Sequence, residues 1–72
     1  MKKEQFYSGL TSALCLDPGE NPPDFEYVII FSRGLTSKSV VVTVTPPVYS
    51  EFLSSSDEDR AEIIQSVYDR FL

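Results

Sequence analysis

Seventy-two residues make one small domain, residues 1–72, whose core is thin enough that such chains usually add a disulfide, a metal or a second subunit. A single cysteine, Cys15, and no histidine exclude an intrachain disulfide and a zinc site of the usual kind. Six Lys plus Arg against eleven Asp plus Glu leave a formal charge of −5, which repels phosphate backbones and anionic bilayers.

The first element is "KEQFYSGLTSALC". Phe6, Leu10, Ala13 and Leu14 fall at i, i+4, i+7 and i+8, a spacing that predicts an amphipathic helix over 3–15. Gly9 lies inside it at a cost of about 1 kcal/mol relative to alanine. Lys2 and Lys3 resemble the start of a secretory leader, but Glu4, Gln5, Ser8, Thr11 and Ser12 interrupt any apolar stretch. The expectation is a cytoplasmic protein with an unpaired thiol. No apolar run approaches the ~20 residues that span a bilayer. Cys15 lies among apolar neighbours beside Asp17, away from any cation, and reads as a buried structural cysteine.

"LDPGENPPD" breaks the helix. Asp17-Pro18-Gly19 is turn chemistry, and each proline restricts the residue before it. Two strands are predicted next, over 25–32 and 39–45, rich in β-branched and aromatic residues. Their short connection implies an antiparallel hairpin. Pairing Ser32 with Ser39 puts Phe31, Val40, Ile29, Val42, Tyr27 and Val44 on one apolar face. It puts Ile30, Val41, Val28 and Thr43 on the other, with Glu26 and Thr45 beyond them. A slip of one residue mixes Glu26 into the apolar set, so the first register is preferred. No third strand is visible, and an isolated hairpin is not stable in water. The expected remedy is a homodimer through the hairpin, with Val28, Ile30, Val41 and Thr43 as the surface for a second copy or another protein partner.

Pro46-Pro47 ends the second strand and can open a helix carrying Val48, Tyr49, Phe52 and Leu53. "SSSDED" then caps the last helix, through Ser55 or Ser56, with Asp57, Glu58 and Asp59 at its positive end. Ile64, Val67, Tyr68, Phe71 and Leu72 form its expected apolar stripe, with Ala61 on the same side. The fold class is α+β, an α-β-β-α-α order with an antiparallel hairpin packed against helices.

The chemistry on offer is sparse. Without histidine, no familiar base–nucleophile arrangement emerges, and an enzyme is not expected. The acidic cluster at 57–62 lacks the alternating ligands and central glycine of a calcium loop, and no metal or other cofactor is expected. "GLTSKS", 34–39, has no glycine before Lys38 and a strand after it, so it does not form a phosphate loop. Arg33 and Lys38 are the only charged residues between Glu26 and Glu51. They face one another across the hairpin, which is unfavourable unless an anion or an acidic side chain relieves it. Arg33, Lys38, Ser37 and Ser39 therefore form a candidate anion or partner contact. The leading expectation is a protein–protein interaction or regulatory module, with no nucleic acid and no membrane as partner. The alternatives are a phage-type inhibitor or nucleic-acid mimic, whose carboxylates occupy a basic groove, and an anion-binding domain built on the hairpin loop.

Overall fold

The computed structural model describes residues 1–34 and 37–72. Leu35 and Thr36, which belong to the "GLTSKS" segment, lie outside the described residues. The elements run α1 (Lys3–Ser8), β1 (Leu10–Leu16), β2 (Val28–Ser32), β3 (Ser39–Val44), α2 (Pro46–Ser54) and α3 (Asp57–Phe71). The class is α+β, as the residue pattern implies, and it contains the expected β2–β3 hairpin.

The hairpin has the expected register: Val28↔Thr43, Ile29↔Val42, Ile30↔Val41, Phe31↔Val40 and Ser32↔Ser39. The serine hydroxyls at its closing pair lie 3.0 Å apart and bond to each other. At the other end, Tyr27 adopts φ 54° and the regular strand starts only at Val28. The Tyr27 carbonyl still accepts from the Val44 N–H at 3.2 Å.

The predicted helix over 3–15 is corrected. It ends at Ser8, where the Gly9 N–H turns back to the Phe6 carbonyl at 3.1 Å. Residues 10–16 form β1, which pairs antiparallel with β3 and gives the order β1-β3-β2. "LTSALCL" satisfies both a helical and an alternating pattern, so local spacing does not decide its state. The unpaired backbone of β3 does, because every buried N–H and C=O needs a partner. A bulge between Leu10 and Ser12 shifts the register. Leu10 therefore packs on the helix-covered side, whereas Leu14 and Leu16 turn to the opposite side.

β1 and β2 flank β3 and run parallel to each other, joined by the eleven residues 17–27. The connection opens with the expected turn: Glu20 N–H donates to the Asp17 carbonyl at 3.1 Å, and Gly19 takes φ 89°.

All three helices pack on one side of the sheet. Phe31, Val40, Val42 and Val44 meet Phe6 of α1, Val48 and Phe52 of α2, and Ile63 and Val67 of α3. The α3 stripe is rotated relative to the sequence expectation. Ile63 and Val67 are buried at its centre, Ile64, Tyr68 and Phe71 are half-buried, and Ala61 and Leu72 are exposed. Ile63 and Val67, four residues apart, define the line that faces the sheet.

The helix starts follow their sequences. Pro46 and Pro47 occupy the first turn of α2, where a missing N–H costs nothing. Ser56 caps α3 by accepting from the Asp59 N–H at 3.2 Å. The Met1 amino group donates to Asp59 Oδ2 at 3.2 Å and to Ser55 Oγ at 3.1 Å. That hydrogen bond, opposed by desolvation and aided by Lys2, holds the Asp59 carboxyl below the ordinary aspartate value of 3.8. A carboxyl depressed in the folded state stabilises the fold above its unfolded pKa and ceases to do so as pH falls through its folded pKa. Replacing Asp59 by Asn should lower the melting temperature at neutral pH. The gap from the parent protein should close in acid, below the ordinary value. Melting curves at a series of pH values test this, and a pH-independent gap would assign the loss to packing.

Candidate functional site

Two features meet the chemistry predicted from the residues, one at the hairpin tip and one on the side of the sheet that faces away from the helices.

At the tip, an open cleft of ≈ 580 Å³ is lined by Pro18, Arg33, Ser37, Lys38, Phe71 and Leu72. Arg33 follows β2 and Lys38 precedes β3, so the closing Ser32–Ser39 pair holds both cations at one end of the sheet. Phe71 and Leu72 come from the end of α3, and Pro18 from the turn after β1. Three of the four predicted contact residues are therefore brought together. Ser39 is not among the lining residues, because its hydroxyl is engaged with Ser32.

The expected repulsion between the cations is relieved within the chain. Arg33 Nη2 lies 3.9 Å from Asp69 Oδ1, and Lys38 Nζ lies 3.5 Å from Asp17 Oδ1. The Arg33 guanidinium also sits over the Tyr68 ring, 4.9 Å from its centroid. Tyr68 is itself fixed, since its hydroxyl donates to the Ser32 carbonyl at 2.6 Å. Arg33 is thus oriented by α3, whereas Lys38, among the described residues, is tied to the turn at Asp17.

The second feature is the sheet side that carries Val28, Ile30, Val41 and Thr43, joined by Leu14 and Leu16 from β1. Val41, at the centre of β3, is 1% exposed, yet it lies outside the cluster packed against the helices. Its cross-strand neighbours Ile30 and Leu14 remain 52% and 45% exposed. Val28 and Thr43 are half-buried, and the Thr43 hydroxyl is bonded to those of Thr11 and Ser12 at 2.6 Å each. The surface is apolar through its middle and hydroxyl-lined at one end.

No known protein family, curated protein or solved structure matches this chain.

The buried structural cysteine is corrected: Cys15 is exposed. It lies on β1 opposite Val40, at the sheet edge, with its sulfur 3.7 Å from the Phe71 carbonyl. Along the strand its neighbours Leu14 and Leu16 turn to the opposite side of the sheet and do not cover it. Among the described residues, no group of three or more His, Cys, Asp or Glu side chains is placed to hold a metal. No helix among them is long and apolar enough to cross a membrane.

Sequence reasoning missed Leu14 and Leu16 on the open side, and Asp17, Asp69 and Tyr68 around the cleft. The leucines had a signal, their alternation with Ala13 and Cys15. The aspartates had none, because Asp69 is 36 positions from Arg33 and no local pattern joins them.

Proposed function

We propose that this protein is an interaction module that acts as a homodimer, with the outer edge of β2 pairing with its two-fold copy. The observation that carries this reading is Ile30, a large apolar side chain 52% exposed in the middle of an edge strand. β1 now covers the second edge of β3, so the self-pairing expected from the hairpin alone reduces to the β2 edge. Val28–Ser32 carries no charge to guard that edge. The competing edge, β1, is interrupted by its bulge, which blunts it as a template. Antiparallel pairing about Ile30 joins two three-stranded sheets into one and extends the apolar strip from Leu14 through Val41 and Ile30 into the second copy.

Charge tempers the association. Each copy carries −5, so added salt should strengthen the dimer by screening their repulsion. Sedimentation equilibrium across micromolar concentrations should yield twice the 8.1 kDa chain mass. Ile30→Glu sets two carboxylates against each other at the two-fold axis and should weaken dimerisation by roughly tenfold or more. Its exposed position leaves the monomer fold intact, which circular dichroism checks. A parent protein that stays at 8.1 kDa, or a dimer indifferent to Ile30→Glu, would reject the reading.

A further inference from the structure

We infer that the cleft at the hairpin tip is a binding site for a small monocarboxylic acid with an apolar body. This goes beyond the dimer, because the cleft is built from the sheet's end and the last turn of α3. Its lining divides by chemistry. Arg33, Lys38 and Ser37 offer donors, whereas Pro18, Phe71 and Leu72 offer apolar surface. A volume of ≈ 580 Å³ has room for a small molecule, and this open cleft divides its lining about equally between polar and apolar surface.

The head group follows from the charges. Arg33 is held over Tyr68 at its face, which leaves the edge of its fork available to a carboxylate. Its present partner, Asp69, is 3.9 Å away and 68% exposed, so the ion pair is weak and exchangeable. Lys38 has the same relation to Asp17, at 3.5 Å and 66% exposure. Each cation is thus matched by one aspartate. Among the described residues the rim has no surplus of positive charge for a dianion such as a phosphate monoester, but one incoming carboxylate can take the place of one aspartate. The body of the ligand then lies along Phe71, Leu72 and Pro18, and contributes in proportion to the apolar area it covers.

Octanoate is a suitable probe, followed by amide chemical shifts of the labelled full chain at low ionic strength. Shifts should centre on Arg33, Ser37, Lys38 and Phe71, and affinity should rise from butanoate to octanoate. The paired variant Arg33→Gln with Lys38→Gln should lose about tenfold or more in affinity while keeping its fold, because both side chains are exposed. Asp69→Asn frees Arg33 and should tighten binding by roughly two- to fivefold, the scale of an exposed ion pair. Octanol binding as well as octanoate, shifts centred on Leu14 and Ile30, or an affinity unmoved by the paired variant would each overturn the assignment. So would the absence of saturable binding.

Discussion

Phe6→Ala should bring this protein close to global unfolding. Phe6 is the only buried residue of α1, and it is fully buried. Its ring meets Phe52 of α2 at 5.6 Å and Phe31 of β2 at 6.1 Å between centroids. A helix of six residues has no stability of its own, so α1 depends on its tertiary contacts, of which the Phe6 ring contacts are the buried part, beside the Tyr7–Ser66 hydroxyl pair and the Gln5–Glu51 bond. Truncating a buried Phe to Ala costs about 3–5 kcal/mol, from lost transfer energy and the cavity left behind. At about 0.05–0.15 kcal/mol per residue, a domain of this length has roughly 4–11 kcal/mol in total. The loss extends beyond α1, because β1 follows it directly through Gly9 and covers one edge of β3. Urea denaturation should show the midpoint collapsing, and hydrogen exchange should show β1 amides losing protection before those of β2. A midpoint within error of the parent would mean that α1 contributes little to the core.

Which parts of this structure could be read from the residues depends on where the deciding interaction lies. The hairpin was legible because a one-residue slip carries Glu26 into an otherwise apolar face, so the register is decided within the two strands. The start of α3 was legible for a similar reason: Ser56 and Asp59 are three positions apart and complete the cap themselves. β1 was not legible. Phe6, Leu10 and Leu14 satisfy a helical spacing, while Ser12, Leu14 and Leu16 satisfy alternation beyond the bulge, and the tie is broken by β3, some thirty positions away. The rotation of the α3 stripe from Ile64 to Ile63 is likewise set by the sheet and not by the helix.

The candidate cleft divides along the same line. The hairpin brings Arg33 and Lys38 to one end, and this follows from local sequence. The partners that make the arrangement chemically specific, Asp69, Tyr68 and Phe71, arrive from α3 through tertiary packing. The exposed Cys15 has the same origin, since its burial was inferred for a helix that does not extend that far.

Gly9→Ala should cost about 1–3 kcal/mol by overpacking, at a position where sequence reasoning weighed glycine only as a weak helix residue. Gly9 has φ −99° and ψ 3°, a conformation open to other residues, so the penalty is not conformational. It is steric. A Cβ built there collides with Val48 Cγ2 and lies 2.8 Å from Val48 Cβ and 3.0 Å from Thr45 Oγ1. Rotating Val48 moves its Cγ2 but not its Cβ, so α2 must shift against the α1–β1 junction. That junction is tied to α2 by the Thr45 N–H, which donates to the Gly9 carbonyl at 2.9 Å. For a domain of this size, each kcal/mol should lower the melting temperature by about 4–8 °C. The steric origin can be isolated with Val48→Ala. That change alone leaves a cavity, but combined with Gly9→Ala it removes the nearest clash and the new methyl fills part of the space. The double variant should therefore be more stable than the sum of the two single losses. Strict additivity would show that Gly9 acts through backbone freedom, and close contact with α2 would no longer explain why a glycine separates α1 from β1.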